Sequence, residues 1–379
     1  MPNLLNDFDP SQFLRQYWQQ KPSVIKQLFS DFEDLLDEHD LAGIAQEPEV
    51  DSRIVSQDNA GNWRNTAGPF NDFESVCVDA WSLLVQGTER YIPEIDELFE
   101  QFAFVPYWRM DDVMVSYSVP GAGVGAHIDQ YDVFLIQGKG KRRWQIGKPG
   151  GFNEVDNNGL RQISNFEPII DVVTGPGDVI YIPPGWPHKG ETLEDSLTYS
   201  IGFRAPDTEQ ITHLMIDTLH QSDKHHQRFS DPDRVIASQP AVIERKDINH
   251  LKRLITDLIE TDSFETQLLS MLSDCHIEIE SESDAISIEQ LKSELAQGAI
   301  LRRREGIKPV YVGKQVNEGK PFTFYLNGEK FESEHSAKSW LEQLLNCKQF
   351  VLDRHVEAPP EAFFTTVEKL LECGYYAIE

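Results

Sequence analysis

The hydrophobic period of this 379-residue chain changes after the "FRAP" at residues 203–206, with both periods mixed over the last hundred residues, and no other feature limits the fold so strongly. Ahead of that point, short runs rich in β-branched and aromatic residues alternate with clusters of Gly, Pro, Asn and Asp. "SRIVSQ", "WSLLVQG", "VMVSYSV", "DVFLIQG", "DVIYIPP" and "LTYSIGFR" are examples. Apolar runs of this length, bounded by turn formers, read as strands, so residues 1–206 are expected to form a β-domain. Phe13, Leu14, Tyr17 and Trp18 fall at helical spacing, which predicts a helix laid against it.

From Asp207 onward the period is helical. Asp207 can cap a helix with Gln210 three residues on, and Ile211, Leu214, Met215 and Leu219 share one face. A second amphipathic run carries Ile248, Leu251, Leu254, Ile255, Leu258 and Ile259, and a third carries Phe264, Leu268, Leu269 and Leu272. Three helices of this size do not satisfy their apolar faces alone. They dock either on the β-domain or on a second copy, and a homodimer built on residues 207–274 is the expectation. Beyond, a helix over "SIEQLKSELAQGA" leads to "FTFYLNGEKFE", where Asn327-Gly328 between alternating runs signals a two-residue hairpin. The helices "SAKSWLEQLLNC" and "PPEAFFTTVEKLLECG" and a strand "YYAIE" follow. Helix, hairpin and helix resemble a winged helix. A nucleic-acid reader of that shape would be basic, and this one is mixed or acidic, so it is read as a scaffold.

Charge narrows the partner. Lys and Arg number 34 against 63 Asp and Glu, a net charge of −29, which repels nucleic acid and attracts cations. The expected partner is basic, although part of this charge does no more than keep the chain soluble. No run of about 18 apolar residues occurs, and the start "MPNLLNDFDPSQFLRQYWQQKP" lacks the order of a secretory signal. Cys77, Cys275, Cys347 and Cys373 include no CxxC pair, which speaks against a disulfide framework or a thiolate zinc site. A cytoplasmic protein without membrane association is expected.

The chemistry concentrates in "PGAGVGAHIDQYDVFLIQGKGKRRWQIGKPG", residues 120–150. Residues i and i+2 of a strand share a face, so His127 and Asp129 are expected to point together into whatever that face lines. An isolated H-x-D recurs by chance. Here "GDVIYIPPGWPHKGE" supplies His188 after a Pro- and Gly-stiffened turn, which would complete a 2-His-1-carboxylate facial triad with positions left open. Iron sites of that type commonly chelate a 2-oxo acid, whose far carboxylate needs a cationic partner. If Lys139-Gly140 were a two-residue hairpin turn, Gln137 would pair with Arg142 and Leu135 with Trp144. Residues 127, 129, 131, 133, 135 and 137 would then share the inner face with Arg142, while Lys141 and Arg143 point out. Arg142 is therefore the candidate clamp. The glycines of "PGAGVGAH" lack the Lys-Ser/Thr ending of a phosphate loop and are read as shaping the approach to a metal. Trp144 and Trp186 are read as core or pocket wall, and the histidines of "KHHQ", residues 224–227, as exposed.

Three stretches, "FLRQYWQQKP", "SYSVPGAGVGAHIDQYDVFLIQGKGKRRWQIG" and "GDVIYIPPGWPHKGETLEDSLTYSIGFRAP", resemble the JmjC-type ribosomal oxygenases, a group also placed with the cupins. The likeness is greatest to their bacterial branch, arginine hydroxylases acting on a basic protein of the large ribosomal subunit. It spans nearly the whole chain, with specific motifs over residues 108–206 and only architecture beyond. The resemblance implies an α+β fold class. A double-stranded β-helix (JmjC/cupin jelly-roll barrel) would occupy residues 1–206, a helical dimerisation domain 207–277 and a winged-helix-like domain 278–379. It also implies Fe(II) on His127, Asp129 and His188, O2 and 2-oxoglutarate as co-substrates, Arg142 on the 2-oxoglutarate carboxylate, and Ser118 as a further polar contact. Animal relatives use a lysine clamp and hydroxylate histidine, so "KGKRRW" favours the bacterial branch and an arginine target. Asp111, Asp112 and Tyr131 are candidates to surround that guanidinium.

Readings from other classes compete. The same chemistry could act on another protein side chain such as histidine. A metal-dependent cupin enzyme acting on a small molecule would usually show another histidine close to the first pair and would have no use for an inward arginine. Histone-type demethylation would call for a reader segment that is not recognisable here. A non-catalytic barrel would not need an intact triad.

Overall fold

The computed structural model describes residues 8–221, 227–279, 286–313, 320–352 and 358–379. Residues 224–226 of the "KHHQ" stretch lie outside them. Packing divides the chain into one unit through Ala205 together with Arg304–Gly306, and a second comprising Pro206–Arg303 and Ile307–Glu379.

The first unit holds thirteen strands in chain order. They are β1 (Ser23–Ile25), β2 (Ser52–Gln57), β3 (Trp63–Ala67), β4 (Ala80–Val85), β5 (Met110–Ser118), β6 (Val133–Gln137) and β7 (Arg142–Gly147). Then follow β8 (Asn153–Asn157), β9 (Leu160–Ser164), β10 (Pro168–Thr174), β11 (Val179–Ile182), β12 (His188–Thr192) and β13 (Ser196–Phe203). Helices α1 (Pro10–Gln16), α2 (Glu38–Ile44), α3 (Phe73–Val76) and α4 (Pro93–Glu100) accompany them. Eight strands form one sheet in the order β1-β11-β6-β13-β5-β4-β2-β3, and three form a second in the order β10-β7-β12. The chain crosses from the large sheet to the small one between β6 and β7, and returns between β10 and β11. It crosses again into β12 and returns into β13. That alternation is the JmjC/cupin double-stranded β-helix.

This topology overturns the expected hairpin. Strand β6 pairs with β11 and β13, whereas β7 pairs with β10 and β12 in the other sheet, so Gln137 does not face Arg142 nor Leu135 Trp144. Lys139-Gly140 is a corner between sheets. The Lys139 amide is held by the Asp34 carboxylate at 2.9 Å. Gly140 turns the chain at φ +76°, where a Cβ would lie 2.1 Å from the Asp195 carbonyl oxygen. Neither a side chain nor a β-ladder fits there.

The strands of the large sheet sort their residues by parity. On β13, Leu197, Tyr199, Ile201 and Phe203 enter the main hydrophobic core while Thr198, Ser200 and Gly202 line an internal cavity. On β5, Val113, Val115 and Tyr117 face the core, and Asp112, Met114, Ser116 and Ser118 the cavity. The apolar side is covered by α1, where Phe13 meets the rings of Tyr181 and Phe134 at 4.9 and 5.2 Å, and by Phe99 and Phe102 at the end of α4. The β5 and β13 side of the barrel interior is thereby left mainly to small polar groups, while Val133, Leu135, Ile180 and Ile182 pack with Trp144 and Ile146 in a small inner core.

One polar network crosses this apolar side. The fully buried Asp132 carboxylate, just ahead of β6, accepts from the Tyr181 hydroxyl at 2.6 Å, the Gln19 amide at 2.9 Å and the Arg109 guanidinium at 3.2 Å. It ties the segment after α1 to the loop that enters β6.

In the second unit, α5 (Thr208–Gln221), α6 (Arg245–Ile259) and α7 (Asp262–Ser273) follow one another. The Asp207 and Gln210 side chains exchange hydrogen bonds with each other's amides at 2.9 and 3.1 Å, the expected capping box. Next come α8 (Ile288–Gln297), β14 (Ile300–Arg303), β15 (Phe322–Leu326), β16 (Glu329–Ser333), α9 (Lys338–Leu345), β17 (Gln349–Val351), α10 (Glu361–Glu372) and β18 (Tyr376–Ile378). The hairpin β15–β16 turns on Asn327 and Gly328, both at positive φ, with Leu326 opposite Glu329. Its tip is bonded to the end of α7, the Gly328 amide donating to Ser273 Oγ at 3.2 Å, and to the segment beyond, Asn327 Nδ2 donating to the Ile277 carbonyl at 2.8 Å. On α6, Leu251, Ile255 and Ile259 form a stripe left 46%, 49% and 42% exposed.

Removing the Asp132 carboxylate strands a guanidinium and a phenol inside the apolar layer. Asp132→Ala is expected to lower stability by about 3 kcal/mol, and Tyr181→Phe by about 1 kcal/mol. The urea midpoint of the full chain measures both, and equal small losses would refute the network's role.

Candidate metal centre

His127 and His188 are joined by a main-chain bridge. Each amide donates to the other residue's carbonyl at 3.0 Å, as in a closely bonded antiparallel pair, in which facing side chains leave on the same side. The two rings stand 4.2 Å apart between centroids. His127 does not lie in the regular strand that the sequence predicted. That strand begins at Val133, and residues 127–132 form an irregular entry held by the bridge and by the Gly185 amide, which donates to the Asp129 carbonyl at 2.8 Å.

The Asp129 carboxylate completes the cluster, with Oδ2 3.5 Å from His188 Nε2 and 3.9 Å from His127 Nε2. One donor atom from each residue lies within 4.8 Å of the others. The second nitrogen of each ring is committed: His127 Nδ1 lies 3.1 Å from the Gly125 carbonyl and His188 Nδ1 3.0 Å from that of Trp186. Only a protonated Nδ1 can donate to a carbonyl, so the network assigns the hydrogens there and leaves the Nε2 lone pairs facing the carboxylate. Burial, reinforced by neighbouring His127, pushes the His188 imidazole down to about 4, so it is neutral near pH 7. Two imidazoles and one carboxylate at this spacing make a divalent-metal donor set with one face free.

The cluster opens on a cavity of about 320 Å³ between the sheets. Arg142, the first residue of β7, points into it and is only 5% exposed, while Arg143 points out and pairs with Asp171 at 2.6 Å. The sequence-derived face of each arginine is the one observed, although the pairing that suggested it does not exist. Burial draws the Arg142 guanidinium down to about 10, which leaves it cationic at neutral pH. Its Nη1 donates to Thr198 Oγ1 at 3.3 Å, its plane lies over the Trp144 ring at 4.9 Å, and its Nε has no protein partner among the described residues. An ordered cation with unused donors, aimed into a cavity that ends at a metal donor set, is suited to an anionic group of a chelated ligand.

Ser118, fully buried, also lines the cavity and donates to Ser82 Oγ at 2.7 Å. Asp112 and Tyr131 stand on its wall, whereas Asp111 is absent from the lining and pairs with Arg204 on the exterior at 3.2 Å. Burial, with Asp129 and Asp112 nearby, raises the Tyr131 phenol, which stays protonated. Trp144 lines the cavity and Trp186 packs beside the small inner core. Sequence reasoning did not anticipate Arg53, Gln86, Leu160, Arg161 or Gln162 on the lining. The last three belong to the β8–β9 hairpin, whose Asn158-Gly159 turn was a signal available in the sequence.

A JmjC domain model matches residues 97–211, and a ROXA-like winged helix model matches residues 247–377. Barrel, triad geometry and C-terminal domain thus define a JmjC-domain oxygenase. The chain is 35% identical to the ribosomal protein uL16 3-hydroxylase of Escherichia coli (strain K12), over 97% of both chains. It is 32% identical to a probable ribosomal oxygenase of Haemophilus influenzae, over 91% of this chain and 85% of the other. Among solved structures, YcfD, a ribosomal oxygenase from E. coli in complex with cobalt and 2-oxoglutarate, superposes with a TM-score of 0.86 at 33% identity, over the full length of both chains. The chain belongs to the JmjC-type ribosomal oxygenases.

Proposed function

We propose that this chain is an iron(II)- and 2-oxoglutarate-dependent oxygenase that hydroxylates an arginine side chain of a basic large-subunit ribosomal protein. The observation that carries the reading is a single cavity holding the His127–Asp129–His188 cluster and the buried, under-bonded Arg142. The E. coli relative named for uL16 hydroxylation and the cobalt–2-oxoglutarate complex of its kind support the coarser part of this reading, a 2-oxoglutarate-dependent oxygenase acting on a ribosomal protein.

Nε2 of both histidines and a carboxylate oxygen of Asp129 would hold the metal. Bound iron(II) supplies the activation of O2, coupled to conversion of 2-oxoglutarate to succinate and CO2 while one oxygen enters a substrate C–H bond. The remaining tasks fall to the protein. Arg142, steadied by Thr198, would hold the far carboxylate of 2-oxoglutarate, with Ser118 as a further polar contact. Leu135 and Trp144 exclude water from the space between. Asp112 and Tyr131 offer an acceptor and a flat face to a guanidinium. Arg53 and Arg161 also line the cavity and would repel it, so the cation would enter along the Asp112 wall. A cytoplasmic location goes with the ribosomal substrate. Among the described residues no helix is long and apolar enough to cross a membrane.

The exposed Leu251, Ile255 and Ile259 stripe supports a homodimer through α6. The net charge of −29 favours a Lys/Arg-rich segment over RNA as partner.

Four outcomes check this reading. His127→Ala, Asp129→Ala and His188→Ala are each expected to abolish iron(II)-dependent 2-oxoglutarate turnover with the fold intact by circular dichroism, and substantial activity in any of them rejects the triad. Arg142→Ala is expected to raise the KM for 2-oxoglutarate by roughly tenfold or more, with Arg143→Ala near wild type; the reverse order would reject the clamp. Light scattering should find a dimer at micromolar concentration, which Leu251→Asp with Ile255→Asp disrupts. Affinity for a basic substrate peptide should fall with salt as charges separated by more than roughly 10 Å at 0.1 M become screened.

A further inference from the structure

The inner face of the small sheet has three rows in register. Ile146 faces His188, Trp144 faces Gly190, and Arg142 faces Thr192. The proposed metal ligand and the clamp therefore lie on different strands with one row between them. From His188 to Thr192 the backbone advances roughly 13 Å, so the Arg142 side chain must lean back across the middle row to serve a short diacid bound at the metal. What fills that row decides how far it leans.

The row is filled by one indole and one missing side chain. A Cβ on Gly190 would lie 2.9 Å from both Cη2 and Cζ3 of Trp144 and 3.2 Å from Arg142 Nε. The glycine is thus the space into which the indole tips and over which the guanidinium lies. On its other side the Gly190 carbonyl oxygen would stand 2.3 Å from a Cβ on Gly123, so this strand has no freedom to back away. The Arg142 plane rests over the indole at 4.9 Å. The same ring is 6.3 Å from the ring of His188. Trp144 therefore touches both ends of the space a co-substrate would occupy, and Thr198 supplies a protein hydrogen bond that steadies the cation.

We infer that Trp144 and Gly190 form a spacer that sets the distance between clamp and metal ligands and thereby selects the chain length of the 2-oxo diacid. The inference rests on the proposed function and adds a specificity role to residues that donate no ligand. An intact indole on a bare Gly190 holds the guanidinium at the reach of a five-carbon diacid. A smaller side chain at Trp144 removes the platform and lengthens the slot. A methyl at Gly190 pushes the indole and the guanidinium into the slot and shortens it.

The test compares 2-oxoglutarate with 2-oxoadipate, one methylene longer. It uses steady-state turnover and, independently, calorimetric binding of each diacid to full-length protein loaded with Mn(II) under anaerobic conditions. Trp144→Leu should raise the KM and Kd for 2-oxoglutarate roughly tenfold and shift the preference toward 2-oxoadipate by a similar factor. Trp144→Phe, which keeps a smaller aromatic face, should fall between Trp144→Leu and wild type. Gly190→Ala should weaken both diacids and the longer one more. Lys189→Ala, at a position between the inner-face rows of β12, serves as the control and should change neither preference nor affinity. An unchanged 2-oxoglutarate to 2-oxoadipate ratio in Trp144→Leu and Trp144→Phe, or wild-type binding in Gly190→Ala, overturns the spacer. Failure of wild-type protein to bind or turn over either diacid would instead overturn the functional reading beneath it.

Discussion

The main-chain bridge between His127 and His188 is the interaction on which the rest of this site depends. Paired amides and carbonyls at 3.0 Å bring an irregular entry loop against the first residue of β12, so two side chains 61 positions apart leave the backbone on one side. Asp129 joins them because its own carbonyl is bonded to the Gly185 amide in the turn that precedes His188. The donor set is built by backbone hydrogen bonds, and the side chains inherit its geometry.

Around that bridge the barrel reverses the usual placement of polarity. On β5 and β13 the large sheet turns its bulky residues outward beneath the covering helices and its Ser, Thr and Gly residues inward, while Val133, Leu135, Ile180 and Ile182 of β6 and β11 form a small inner core with Trp144 and Ile146. The interior consequently keeps a cavity beside that small core, and one buried cation can be kept there because burial lowers Arg142 only to about 10. A guanidinium tolerates such a place where a lysine would lose its proton more readily. The aromatic platform beneath it and the hydroxyl beside it restrict its position without neutralising its charge.

The Asp132 network shows how the same loop is fixed from its other end. Three donors from distant parts of the first unit converge on one carboxylate three residues beyond Asp129. Between the bridge and this anchor, residues 127–132 have no regular ladder. Their conformation is set by the two ends, which is why a short H-x-D motif can present two ligands outside a strand.

Much of this was legible in the residues themselves. The switch of hydrophobic period after residue 206, the capping box at Asp207 and Gln210 and the hairpin at Asn327-Gly328 are local signals, and each is found where its local physics requires. His127, Asp129 and His188 were picked out by motif and Arg142 by parity, and the structure brings all four to one cavity, but not by strand alternation, since His127 and Asp129 lie outside β6 and the parity of Arg142 was carried across a hairpin that does not form. Pairing itself was not legible. Lys139-Gly140 has the composition of a hairpin, and only the competing hydrogen bonds of Asp34 and Leu197 and the closeness of Asp195 make it a corner between sheets. Asp111 and Asp112 are neighbours in sequence, and the pleat sends one to Arg204 and the other to the cavity. The indole resting on Gly190 could not be foreseen either, since the distance from a glycine to a ring 46 residues earlier in the chain is a property of strand register. Local chemistry decides which residues are able to act. The long-range ladder of two sheets decides which of them meet.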